Sequence, residues 1–350
     1  MLDKIKLFTD VFAPTAADRV LIMVDQPHDH LQDHSNWQDR RQMATEWLEA
    51  FAAFPVERLP LLAYSATGAN NGDLPEWGEW EGAPIPLDEA IGRSTLLLAM
   101  TEFSATAPLA RRVRQQPGLR VASMPGVLRR MEQTALAADY RQIARQTRAW
   151  AEQLTLATGA TATFPTGDQC YFDLRYRTGY ADDGICHADK PFPLINLPSG
   201  EAFIVPYEGE REGEPSQTAG TIPMMHEGAK LILIIENNRI VQVEGADPAA
   251  QSFSDYIQEE PARANVAELG LGCNEKAIVQ GAVIEDEKAG MHWAYGRSEH
   301  LGGTVGPDAF SEPSRVIHQD IVYAASSPIA ISTLTLHLPD GKDVPIYLNQ

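Results

Sequence analysis

Apolar positions along this chain fall into two textures. In the first part, short continuous apolar runs alternate with stretches of helical period. Arg19-Val-Leu-Ile-Met-Val-Asp25, Leu59 to Tyr64, Thr95-Leu-Leu-Leu-Ala-Met100 and Arg120-Val-Ala-Ser-Met-Pro125 have the length and composition of buried strands. Between them, Gln38 to Phe54 puts Met43, Trp47, Leu48 and Phe51 on one helical stripe, and Ala107 to Gln116 is also helix-like. Strands alternating with helices predict a mostly parallel sheet with helical crossovers, and so an α/β N-terminal domain. Ser65 to Pro86, rich in Gly, Pro and Trp, is expected to form a long loop.

Asp139 to Thr158 is the longest helical pattern and is closed by Gly159. Beyond it the texture turns to β-branched and aromatic residues, as in Cys170-Tyr-Phe-Asp-Leu-Arg-Tyr-Arg177. Two hairpins are expected, one at Leu231 to Val243 with Asn237-Asn238 in the turn, the other at 331–348 with Asp340-Gly341 in the turn. The expected division is therefore an α/β domain at 1–158 and an α+β domain at 159–350.

Composition narrows the function classes. The 350 residues exceed the usual allotment of roughly 100–200 for one domain, and 44% hydrophobic with 22% charged residues is an ordinary globular balance. No apolar run approaches the roughly 18 residues of a spanning helix, and the N-terminus M-L-D-K-I-K-L-F lacks the features of a signal peptide, so a cytoplasmic location is expected. Three distant cysteines without a C-x-x-C indicate neither a disulfide framework nor a zinc knuckle. A formal net charge of −20 argues against nucleic-acid and anionic-membrane partners and favours cations in any acidic cleft.

Candidate chemistry lies in the second half. In Val316-Ile-His-Gln-Asp-Ile-Val-Tyr323, the strand period of two sends His318 and Asp320 to one face, where they make two ligands for a divalent metal or, alternatively, a solvated polar face. Glu201 follows a Pro-Ser-Gly turn at the head of an apolar strand. Glu268 is embedded in Ala-Glu-Leu-Gly-Leu-Gly-Cys-Asn274, and an unpaired buried carboxylate is too costly to persist, so it must be exposed, paired or metal-bound. His292 interrupts the apolar Met291-His-Trp-Ala-Tyr-Gly296. The charge run Ile284-Glu-Asp-Glu-Lys288 and the acidic stretch Glu208 to Glu214 are expected to be solvated, and the loop with His28, His30 and His34 a polar surface loop. Jointly, two Glu, two His and one Asp match the ligand set of a two-metal hydrolase.

N-L-P-S-G-E-A-F, A-E-L-G-L-G-C-N, E-D-E-K-A-G-M-H-W-A-Y-G and I-H-Q-D resemble, in order and spacing, the motifs of the thermophilic aminopeptidase T family of metallopeptidases, family M29. The resemblance covers roughly Asp183 to Tyr323. It implies an α/β N-terminal domain and a C-terminal domain holding two divalent ions (Zn, Co or Mn) on Glu201, Glu268, His292, His318 and Asp320, usually in a homodimer, acting on small or peptide-like amide substrates. Glu268 is then also the expected proton acceptor. The family's tyrosine, seven positions after its histidine, is replaced here by Glu299, so Glu299, Tyr295, Arg297 and His300 are the candidates for its role.

The 2,5-dihydroxypyridine dioxygenases look like an offshoot of the same superfamily. They imply the alternative of one non-haem Fe(II) cleaving a hydroxylated N-heterocycle. Their H-x-D matches His318 and Asp320, but their other histidine aligns with Glu268, so by ligand type the chain sides with the hydrolases. A third possibility is a catalytically silent binding protein on the same fold.

Overall fold

The computed structural model describes residues 2–28, 30–245, 248–325 and 327–346. The chain divides into two compact units, Met1–Ala144 with Asp182–Gly200, and Arg145–Ala181 with Glu201–Gln350. This division departs from a single cut at 158. The boundary falls inside the helix Tyr140–Leu156, and the segment 182–200 returns to the first unit because Leu194–Asn196 pairs in parallel with Arg120–Ser123.

The first unit is built on one mostly parallel sheet. Leu194–Asn196, Arg120–Ser123, Leu96–Ala99, Arg19–Gln26 and Leu62–Ser65 lie side by side in parallel. Helices Ser35–Ala50, Leu87–Gly92 and Thr106–Gln115 supply crossovers, so the middle strands are covered on both faces and Val20 to Met23 and Leu96 to Ala99 are fully buried. The expected loop at 65–86 instead contains a hairpin, Trp77–Trp80 with Ala83–Pro86, that extends this sheet in antiparallel sense. Its turn uses Glu81 and Gly82, both at positive φ (52° and 77°), as a tight hairpin turn requires. The Gly and Pro residues within its strands hide it from a propensity argument.

The second unit holds two antiparallel sheets. One runs Arg239–Glu244, Ala229–Glu236, Ala219–His226, Gln169–Asp173, Gly159–Thr163, Thr333–His337, Asp343–Ile346. It contains both expected hairpins: Asn237 and Asn238 take φ of 49° and 64°, and Gly341 takes 81°, while residues 347 and 348 of the second pattern lie outside the described residues. The other sheet runs Tyr180–Asp182, Glu201–Ile204, Val266–Gly272, Met291–Gly296, His318–Tyr323. One core joins them: Leu269, Leu271, Met291, Trp293, Tyr295 and Tyr323 from the five-stranded sheet pack with Phe172, Ile222, Leu231, Leu233, Leu334 and Leu336 from the larger one. Strand alternation therefore commits the other face of the five-stranded sheet to its remaining side chains.

A bulge adjusts that alternation. Val266 pairs with Tyr295 and Glu268 with Ala294, so one residue of the strand, Ala267, is unopposed. Val266 lies in the core, whereas Glu268, the next even position, pairs with Ala294 on the opposite face.

Candidate metal centre

Four strands deliver five polar side chains to one place through their register. Glu201 pairs with Gly272, Gly270 with His292, Glu268 with Ala294, and Ala294 in turn with Asp320, while Gly296 pairs with His318. Directly opposed residues of an antiparallel pair share a face, so all five side chains rise on the side away from the core. Glycine at 270 is a steric requirement, since a Cβ there would run into the His292 ring.

Among the described residues, two groups have ligand atoms within 4.8 Å of one another: Glu201, Glu268 and His292, and Glu268, His318 and Asp320. Glu268 is common to both. Its Oε2 lies 2.9 Å from His318 Nε2, and its Oε1 3.5 Å from His292 Nε2. Glu201 Oε2 stands 3.3 Å from His292 Nε2, and Asp320 Oδ1 3.6 Å from His318 Nε2. Each imidazole is oriented from behind. His318 Nδ1 donates to the Arg297 carbonyl at 2.7 Å and His292 Nδ1 to that of Gly290 at 3.3 Å, which turns both Nε2 atoms into the cluster.

Burial makes this arrangement expensive without a cation. His292 is 0% exposed, Glu268 5% and Glu201 6%. His292 Nε2 and Glu201 Oε2 have no hydrogen-bond partner, against the general rule that buried polar atoms find one. Burial opposes charge on both histidines, yet Glu201 and Glu268 around His292, and Asp320 and Glu268 around His318, outweigh it and hold both rings well above the ordinary histidine pKa. Burial likewise opposes the Glu268 carboxylate, but the two imidazoles overcome it and hold its pKa below the usual range. Protons on the imidazoles thus neutralise a pocket of carboxylates. A divalent ion would do the same on these side chains, and a mixed N/O donor set of this kind suits Zn, Co, Mn or Fe. The residues present fit a metal.

Several residues expected to be solvated are part of this region. Glu285, Asp286 and Lys288 are buried, correcting the expectation for the run 284–288. Lys288 Nζ lies 2.5 Å from Glu201 Oε1 and 2.7 Å from Glu287 Oε1. Burial, joined by the charges of Glu201 and Asp320, pushes the Glu287 carboxyl up to about 8 despite Lys288 beside it. Glu208 is also no solvated connector. Its carboxylate accepts from Asn265 Nδ2, Ser298 Oγ, the Thr304 amide and Thr304 Oγ1, and pairs with Arg177, pinning the loop that carries His300. The only sequence signal for the run 284–288 was its nearness to the His292 strand, and Glu208 carried none.

The candidates for the tyrosine's role separate. Tyr295 is buried on the opposite face, edge-on to Phe253, and so does not face the cluster. Glu299 is half exposed and paired with Arg297 at 2.7 Å. His300 is exposed and stands edge-on to His318, with ring centroids 5.0 Å apart. In the first unit, His28 bonds the Ala66 carbonyl and His34 caps the helix Ser35–Ala50, as expected of a polar surface loop.

Neither a protein-family model nor a curated protein matches the sequence. Solved structures with the same fold include the 2,5-dihydroxypyridine dioxygenase of Pseudomonas putida KT2440, at a TM-score of 0.62 and 15% identity over 95% of this chain and 91% of that one. They also include wild-type AmpT of Thermus thermophilus, an aminopeptidase T, at a TM-score of 0.58 and 12% identity over 99% and 97% of the two chains. The two families that the sequence motifs resemble are thus both represented among the proteins that share this two-unit α/β architecture.

Proposed function

We propose that the chain is a metal-dependent hydrolase of the aminopeptidase type, cleaving an amide bond in a small or peptide-like substrate. The observation that carries this reading is the pair of imidazoles fixed from behind by backbone carbonyls, with Nε2 atoms aimed at a shared Glu268 and three carboxylates from three different strands converging on them. Glu201, Glu268, His292, His318 and Asp320 would hold the metal. A divalent ion held there would supply Lewis-acid polarisation of a carbonyl and a lowered pKa of water.

The chain's own residues supply the rest. Glu268, with both oxygens turned into the cluster, is the carboxylate placed to take the proton of an attacking water. The buried frame of Trp293 and Tyr323, joined by a 3.0 Å hydrogen bond, keeps the ligand-bearing strands rigid from below. His300, edge-on to His318, is a polar group beside the cluster. The resemblance adds a homodimer, which light scattering reads directly.

The test is release of amine from dipeptides and aminoacyl anilides after reconstitution with zinc, cobalt or manganese. Absence of metal-stimulated cleavage across such a panel overturns the reading. The shared fold with the pyridine dioxygenase supports a second one, ring cleavage at a single Fe(II) using His318 and Asp320. Dioxygen uptake with ferrous iron and hydroxypyridines separates the two, because hydrolysis consumes none.

A further inference from the structure

The two halves of the cluster differ in one respect that their ligand types conceal. Around Glu268 and Asp320, the only cationic groups in contact among the described residues are the two imidazoles. Glu201 meets a permanent one. Lys288 is 0% exposed, and its Nζ closes on Glu201 Oε1 and Glu287 Oε1. A buried ammonium is tolerated only where carboxylates surround it, so the Lys288 head group and these two side chains form one unit. Glu201 is left with a single oxygen, Oε2, facing His292.

We propose that the Lys288 ammonium takes the place of a second metal ion, so that the centre binds one divalent cation per chain, on the Glu268–His318–Asp320 side, with His292 within its reach. The inference rests on the metal-dependent reading above and changes its stoichiometry. A second divalent ion on Glu201 would share that carboxylate with an ammonium already in hydrogen-bond contact, two cations repelling each other where no water screens them. Lys288 is out of reach of a substrate, so its role is to position charge: its single positive charge offsets Glu201 and leaves room for one ion in the cluster.

The experiment counts metal and needs no turnover. Wild-type chain stripped by chelation and dialysed against excess zinc, cobalt or manganese is expected to retain one equivalent by elemental analysis, with one transition in calorimetric titration. Lys288→Gln, which removes the charge at similar length, is expected to retain two, and its melting temperature to rise more on metal addition than that of wild type. Two equivalents in the wild type, or one in a folded Lys288→Gln chain, overturn the inference while leaving the metal-dependent reading intact. No bound metal in the wild type overturns both. Should Lys288→Gln fail to fold, the wild-type count decides alone.

Discussion

Two of the places where the protein buries charge are treated in opposite ways. In the first unit, Arg120 and Asp18 meet at 2.6 Å, Arg120 also donates to the carbonyls of Phe12 and Cys186, and Asp18 accepts from the Thr15 amide. Burial alone would raise the Asp18 pKa, but Thr15 and Arg120 bring it below the ordinary value. In the second unit, carboxylates from three strands converge on two imidazoles, and Glu201 Oε2 and His292 Nε2 are left without partners. The first arrangement is complete within the chain, and the second would be completed by a cation. Buried charge is therefore a sign of function only where its hydrogen-bond valences stay open.

This contrast can be broken most severely at the open site. His318→Ala removes a ligand and is expected to abolish stoichiometric metal binding and reduce turnover by more than the roughly 100-fold that loss of a supporting group costs. Chemical denaturation of the metal-free variant should also show a loss of stability, because Glu268 and Asp320 lose the imidazole that offsets them. Next in size is Asp18→Ala, which strands a buried guanidinium and should cost about 3–5 kcal/mol in urea unfolding with metal content unchanged.

The same pair sharpens the contrast through pH. Because the folded Asp18 pKa lies below the unfolded value of 3.8, its contribution is fully present above that value and is lost as pH falls through the lower folded one. Wild type should therefore lose stability on acidification toward pH 3 more steeply than Asp18→Ala, as read by urea midpoints across the range. A smaller effect is expected at Gly270→Ala. The added methyl forces the His292 ring aside, at about 1–3 kcal/mol of overpacking, and weakens metal affinity measured by competition with a chelator. Smallest of all, Glu299→Gln breaks only a half-exposed pair with Arg297, worth roughly 0–1 kcal/mol, and should leave turnover within about twofold. A large loss there would return Glu299 to the chemistry.

How far the sequence could be read depended on whether a residue's surroundings were local. Continuous apolar runs identified the parallel strands of the first unit, and turn residues identified the hairpins at Asn237-Asn238 and Gly341, because period and positive φ are properties of a few neighbours. His318 and Asp320 were legible on one face for the same reason. Lys288 was not: its burial depends on Glu201, which is distant in sequence, and a run of charges carries no mark of such a partner. Glu208 was missed likewise, since the groups it binds come from three other segments. Tyr295 misled because a residue near His292 in sequence alternates to the other side of the strand.

The unopposed residue at Ala267 gives the candidate centre a property of its own. Because the bulge sets which parity of the strand faces the ligands, deleting Ala267, or slipping any of these strands by one residue, would exchange the ligand and core faces of that strand in a single step. Assembly of the centre is thus close to all-or-none with respect to register. Metal retained by the chain after refolding would then serve as a proofreading signal, present when the Glu201, Glu268, His292 and His318 strands have paired in the native frame and absent from chains that have collapsed in another.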